Sequence, residues 1–106
     1  MNDIPADATV SEHFTISAQH PSLPGHFPDH PVVPGVVLLD RVAAALERAG
    51  FRPLRRIHAV KFLAPLLPGQ AAQLIATCGG TRLRFRIERD GSPILSGEAE
   101  TGGGND

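Results

Sequence analysis

The stretch that decides the fold is residues 35–50, GVVLLDRVAAALERAG, which directly follow Pro34. A proline just before the start and a glycine, Gly50, just past the end are typical of the two ends of a helix. The stretch therefore predicts one helix of about four turns. Its apolar residues point in nearly every direction around the axis, which favours a buried helix over a surface helix. We expect a sheet to wrap around it.

Alternating apolar and polar residues on both sides of this helix indicate β-strands. Residues 13–17 predict a first short strand, with Phe14 and Ile16 on one face. Four further strands, separated by glycine-containing turns, are predicted at residues 57–62, 71–78, 82–89 and 94–100. The fold class is therefore α+β, an antiparallel meander with one helix.

The length of 106 residues is enough for one domain and too short for two, because smaller halves would bury too little surface. We predict a single domain over residues 1–106 with its core at about residues 11–100. The ends, residues 1–10 and 101–106, are expected to be flexible.

Composition excludes several classes of partner. The net charge is −1 and aromatic residues make up 5% of the chain, so we expect no nucleic-acid partner. No apolar stretch reaches the ~20 residues of a membrane span, and the N-terminus lacks a signal-peptide pattern. We therefore expect a cytoplasmic protein without a membrane span. The single cysteine, Cys78, excludes an internal disulfide and favours a buried thiol.

Residues 20–35 contain five prolines, which predict a stiff loop because proline fixes φ and removes a backbone donor. His26 lies in this loop, and Asp40 lies in the helix that follows. A carboxyl group desolvated among the apolar residues of that helix could stay protonated near neutral pH and donate a proton. A histidine is the natural companion base. We therefore predict His26 and Asp40 as a catalytic pair.

The start of the helix adds a third element to this site. The amides of Gly35 and Val36 have no acceptor within the helix and favour negative charge that develops on an oxygen. Glycine also lets a substrate approach the backbone closely. Gly35 and Val36 are therefore candidate oxyanion or substrate-binding residues.

Ordinary structural roles stay open for the same residues. A lone aspartate in a helix is usually solvated or paired, here with a neighbouring arginine, and a loop histidine is usually structural. The spacing of His20, His26 and His30 fits no standard zinc pattern, so we predict no metal site.

Two short motifs carry a resemblance to a known family. GHFP at residues 25–28 precedes PVVPG at residues 31–35, and Asp40 follows His26 by 14 positions. The pattern resembles the bacterial 3-hydroxyacyl-ACP dehydratases of the FabA/FabZ kind. The short chain and the VVLLD version of the helix start are most similar to the small ApeI-like dehydratases of aryl-polyene pathways. The resemblance implies the hot-dog fold, an antiparallel sheet wrapped around one central helix.

The resemblance also implies a reaction, the loss of water from a 3-hydroxyacyl thioester on acyl carrier protein to give a trans-2-enoyl thioester. His26 would take the proton next to the thioester, Asp40 would protonate the departing 3-hydroxyl group, and the Gly35 amide would hold the thioester oxygen. No cofactor is implied beyond the carrier's phosphopantetheine. The protomers would pair, as a homodimer or as a heterodimer with another hot-dog subunit, and each site would take histidine from one subunit and the acid from the other.

One departure keeps other functions open. Family members commonly have a glutamine one helical turn after the acid, where this chain has Ala44. A non-catalytic hot-dog subunit that stabilises a partner dehydratase or binds acyl chains is one alternative. A hot-dog thioesterase is another, although GHFP is not its usual signature.

Basic side chains offer candidate docking points for an acidic carrier protein. A solvated strand or loop face is the ordinary role of such residues. The candidates are Arg52, Arg55, Arg56, Arg82, Arg84 and Arg86.

Overall fold

The computed structural model describes residues 7–17 and 32–102. This part of the chain forms one helix and one five-stranded sheet in which every neighbouring pair of strands is antiparallel. The elements in chain order are β1 (Asp7–Thr15), α1 (Gly35–Arg48), β2 (Leu54–Phe62), β3 (Ala71–Gly79), β4 (Arg82–Arg89) and β5 (Ser92–Thr101).

The strands lie in the order β1-β3-β4-β5-β2, so β1 and β2 form the two edges of the sheet. The predicted meander is present in β3, β4 and β5. Asp90 and Gly91 make the two-residue turn between β4 and β5 with φ of 52° and 80°, the conformation that a type I′ hairpin requires.

The predicted elements are all present, but several are longer than the sequence indicated. β1 begins at Asp7, six residues before the first strand predicted at residues 13–17. These residues pair with β3 through backbone groups, an interaction that does not depend on an alternating side-chain pattern. Thr101 likewise belongs to β5 and is only 4% exposed.

Helix α1 begins and ends where its flanking residues predict. Gly50 takes a φ of 85° just after the C-cap, and its amide donates to the carbonyl of Glu47. The amide of Phe51 donates to the carbonyl of Leu46 at 3.0 Å. These two bonds make a Schellman motif, for which a glycine at this position is the common solution.

The helix is not buried on all sides, which corrects the prediction from its composition. Val37, Leu38, Val42, Ala45 and Leu46 are buried, whereas the side chains of Val36 and Asp40 are exposed. A sheet of five strands from one chain covers only one side of a helix. The opposite side of α1 is therefore left open, although much of it is apolar.

Two side-chain contacts attach α1 to the edge strand β1. Arg48 donates two hydrogen bonds to the carboxylate of Glu12, at 2.6 and 3.1 Å. The guanidinium of Arg41 lies 5.3 Å from the centre of the Phe14 ring, within the range of a cation–π contact. Both contacts help to set the rotation of the helix against the sheet.

The inner face of the sheet carries the core. Leu74, Leu83, Ile87 and Leu95 are fully buried there, and the Cys78 thiol is buried as predicted. No helix in the described part of the chain is long and apolar enough to cross a membrane.

The close approach of Phe85 to Gly97 makes a prediction about stability. A Cβ atom at position 97 would lie 2.4 Å from the Phe85 ring and 2.8 Å from the carbonyl oxygen of Ala59. Since the backbone oxygen cannot move freely, Gly97→Ala should lower the free energy of unfolding by about 1–3 kcal/mol. Urea unfolding measures this loss, and Ser96→Ala is the matched control. Equal stability of both variants would contradict the prediction.

Candidate active site

The structure describes one member of the predicted catalytic pair. Asp40 lies in the second turn of α1, whereas His26, with the rest of residues 18–31, lies outside the described residues. His20 and His30 fall in the same range. The described residues include no group of three side chains that could hold a metal ion.

Asp40 differs from its predicted environment because its side chain is exposed in the single chain rather than desolvated. Among the described residues its carboxylate has no hydrogen bond or ion pair. The neighbouring Arg41 is directed at the Phe14 ring and does not pair with Asp40. The carboxylate is thus available to a substrate or to a partner chain.

The start of α1 lies one turn away from Asp40 and presents backbone N–H donors. The amides of Val37 and Leu38 both donate to the carbonyl of Pro34, at 3.0 and 3.4 Å. The amides of Gly35 and Val36 precede them and have no acceptor within the helix. No side chain of the described residues caps this end, and the first turn has no acidic residue. The positive end of the helix dipole is therefore not neutralised by its own first turn.

Phe62 lies directly against Gly35 at this end of the helix. A Cβ atom at position 35 would lie 2.7 Å from two atoms of the Phe62 ring, so only glycine allows the ring to lie there. Phe62 as a whole is 59% exposed. Leu38 and Phe62 face this site, whereas Phe85 lies in the core against Gly97.

An apolar groove of about 300 Å³ adjoins the Phe62 ring. Leu38 and Phe62 connect it to the start of the helix, and none of its described lining residues is charged. Its lining residues are Val33, Leu38, Phe62, Leu63, Ala64, Pro65 and Leu66. Such a groove suits an aliphatic chain whose polar end lies at the helix amides.

One loop, residues 63–70, holds the chain near both ends of the proline-rich segment. The amide of Val33 donates to the carbonyl of Leu66 at 2.8 Å, and the amide of Gly69 donates to the carbonyl of Ile16 at 2.8 Å. Sequence reasoning missed this role. The only signals were the two prolines, Pro65 and Pro68, which mark an irregular segment without indicating what it binds.

The predicted docking arginines do not lie with Asp40. Alternation along β4 places Arg82, Arg84 and Arg86 on the face of the sheet opposite the core and α1. Arg55 and Arg56 lie on the edge strand β2, and Arg52 lies in the connection that precedes it.

A second cavity, about 590 Å³ and open to solvent, lies on this outer face. Lys61, which the sequence did not single out, lines it together with Arg84 and Arg86, and Glu98 is the carboxylate in its wall. The cavity is on the other side of the sheet from the groove at Phe62.

Close to this cavity, His58 and Glu100 form an ion pair at 2.6 Å between β2 and β5. The hydrogen bond from His58 lowers the pKa of the Glu100 carboxyl group, and the charges of Arg56 and Arg55 lower it further. Glu100 is therefore a stable anion within a basic region.

Comparison with known proteins identifies the family. The family model described as ApeI-like, ApeI dehydratase, matches residues 3–98. The 3-hydroxyacyl-[acyl-carrier-protein] dehydratase FabZ of Ruminiclostridium cellulolyticum is 30% identical in an alignment over 97 residues. The match covers 78% of this chain and 68% of that protein.

Solved structures agree with the sequence comparison. An uncharacterized protein from Erwinia carotovora superposes with a TM-score of 0.81 at 23% identity, over 99% of this chain and 91% of that one, and supports the fold alone. The dehydratase heterocomplex ApeI:P from Xenorhabdus doucetiae superposes with a TM-score of 0.73 at 26% identity, over 89% of this chain and 85% of that one. The family match and the fold together lead to one conclusion: this chain has the hot-dog fold and belongs to the ApeI-like family of FabZ-related dehydratases.

Proposed function

We propose that this protein removes water from a 3-hydroxyacyl thioester on acyl carrier protein and produces a trans-2-enoyl thioester, in fatty-acid or aryl-polyene biosynthesis. The observation that carries the proposal is the environment of Asp40. It is an acid with no partner among the described residues, one helical turn from two amides that lack an acceptor within the helix. Family membership supports dehydration as the reaction.

In the proposed mechanism, His26 removes a proton from the carbon next to the thioester. The electron pair moves toward the thioester oxygen, where the amides of Gly35 and Val36 stabilise the developing charge. Collapse of this species breaks the bond to the 3-hydroxyl group, and Asp40 supplies the proton with which that group leaves as water. His26 then holds one extra proton and Asp40 has lost one, so a net proton return from His26 to Asp40 restores the site.

A second protomer is part of this proposal because the single chain leaves Asp40 in water. Cover by another subunit would exclude water from the carboxyl group and from the bound substrate. Val36, Phe62 and Leu63 are exposed by 63%, 59% and 51% and surround the same region. An apolar area of this kind marks an interaction surface. Homodimer and heterodimer both remain compatible with this requirement, and the similar ApeI:P structure is a heterocomplex.

The groove beside Phe62 is the proposed site for the acyl chain. Its wall includes Phe62, whose ring lies against Gly35 at the start of the helix. The carrier protein itself would bind through arginines, with Arg84 and Arg86 as the first candidates because they line the outer cavity. Its phosphopantetheine arm would then have to pass an edge of the sheet, since the groove lies on the other face.

The catalytic pair has a direct test. Water loss from a purified 3-hydroxyacyl-ACP, followed by mass spectrometry, should fall about 10²–10⁴-fold in His26→Ala and in Asp40→Asn, the range expected for a general acid or base. Glu47→Gln is the matched control, because Glu47 is another exposed carboxylate on α1 and should be dispensable.

The same assay separates the alternatives. A folded wild-type dimer that leaves the substrate mass unchanged would favour the non-catalytic subunit, as a partner of an active dehydratase. Release of a free acid instead of an enoyl thioester would favour a thioesterase. Activity retained in both variants would refute the proposed pair.

The contact between Gly35 and Phe62 provides a second test. In Gly35→Ala the new methyl group must displace the Phe62 ring, which is free to move outward because it is half exposed. Stability should therefore change little, while kcat should fall about 10- to 100-fold because the substrate is displaced from the helix amides. The double variant Gly35→Ala with Phe62→Ala should recover part of this loss. A double variant no better than Gly35→Ala would contradict the role of the ring.

A further inference from the structure

The outer cavity, about 590 Å³ in volume, lies where a small side chain stands between long cationic side chains. Ser96 of β5 is opposite Arg86 of β4 on one side and opposite Lys61 of β2 on the other. Arg84 lies two positions before Arg86 on the same strand and therefore on the same face. All four residues line the cavity, so three cations surround one hydroxyl group.

Carboxylates compensate these three cations only in part. Arg86 binds Glu88 through Nε, at 2.6 Å, which leaves its terminal nitrogens without a partner among the described residues. Arg84 and Lys61 have neither an ion pair nor a side-chain hydrogen bond within the described part of the chain. Glu98 lies opposite Arg84 and is the one carboxylate in the described wall. Three cations against one carboxylate leave the wall with a surplus charge of +2.

Arginines on the outer face of a strand are usually only solvated. Two features distinguish this place from an ordinary basic face. The volume of the cavity lies in the range of small-molecule sites. In addition, Glu88 holds the Arg86 side chain from outside the cavity wall, which lowers the entropy that a bound anion would have to overcome. Hydroxyl groups of Ser96 and Thr77 add neutral donors to the same wall.

Phosphate groups match this set of donors. A guanidinium group fits two phosphate oxygens at once, and an ammonium group adds a compact point charge. The Cα atoms of Arg84 and Arg86 are about 7 Å apart along β4, and Lys61 lies about 10 Å away across β5, from the usual spacings of a sheet. Two linked phosphates can meet cations spaced in this way with less convergence of the side chains than a single phosphate requires.

The geometry points to a binding site for a small molecule that carries a diphosphate group, held by Lys61, Arg84 and Arg86 around Ser96. The site lies on the face of the sheet opposite the apolar groove, so the inference does not depend on the removal of water. It shares Arg84 and Arg86 with the surface proposed for the carrier protein. A bound diphosphate would therefore compete with the carrier for the same arginines.

Pyrophosphate and ADP are the probes, and adenosine is the control that lacks phosphate. Titration calorimetry of the purified protein should show saturable binding of pyrophosphate and of ADP. Adenosine should not bind, because the cavity wall offers no exposed aromatic ring to a base and Phe85 is buried. Raising the salt from about 50 mM to about 500 mM should weaken binding, since salt screens charges at the surface.

Matched variants separate a defined site from a general positive field. Arg84→Gln should weaken pyrophosphate binding about tenfold, whereas Arg82→Gln should change it less than about twofold. Both variants remove one arginine from the outer face of β4, but only Arg84 lines the cavity. Glu98→Gln should tighten binding, because it removes the carboxylate that repels the anion. Equal losses in the two arginine variants, or weaker binding by Glu98→Gln, would overturn the inference.

A measurement on the wild type keeps the test valid if a variant does not fold. In NMR spectra, pyrophosphate should shift the backbone amide signals of Lys61, Arg84 and Ser96. Shifts confined to Gly35 and Val36 would place the anion at the start of α1 instead and contradict the inference.

Two further outcomes would also overturn it. One is the absence of saturable pyrophosphate binding by the folded wild type. The other is binding of the carrier protein, lost in Arg84→Gln, by a chain that does not bind pyrophosphate, which would make this face a protein-docking surface. Because the calorimetry needs no substrate, water loss catalysed by a chain that does not bind pyrophosphate would support the proposed function and refute this inference alone.

Discussion

The packing of α1 against the inner face of the sheet is the interaction on which the rest of the structure depends. Val42, Ala45 and Leu46 are completely buried in this contact. Because helical positions four residues apart share a face, burying this side of the helix turns Val36 and Asp40 outward. The same contact sets the direction of the first amides of α1. The acid and the oxyanion donors of the proposed site are thus arranged by the hydrophobic core.

A helix covered on one side leaves an incomplete site. Asp40 is exposed and unpaired among the described residues, and the apolar side chains of Val36 and Phe62 are exposed with it. Water is not excluded from the carboxyl group in such surroundings. The proposed function therefore depends on what covers the open side of α1.

The two faces of the sheet carry different kinds of side chains. Its inner side, with α1, presents the acid, the amides and the apolar groove, whereas its outer side presents Lys61, Arg84 and Arg86. This separation follows from the period of two along each strand, which places Arg84 and Phe85 on opposite faces. A carrier protein held by the outer arginines would consequently reach the groove only around an edge. Residues near the edges, such as Lys61 and Phe62, would then affect both the docking of the carrier protein and the entry of the acyl chain into the groove.

The sequence by itself determined the local features: the limits of α1 from Pro34 and Gly50, the hairpin at Asp90 and Gly91, and the family motifs that contain His26 and Asp40. Each of these depends on interactions within a few residues or on a recognisable pattern. Only the tertiary structure decided that β2 lies at an edge, that Phe62 lies on Gly35, and that Asp40 is exposed rather than buried. Strand order and coverage of a helix depend on residues far apart in the chain, and no periodicity within one segment reports them.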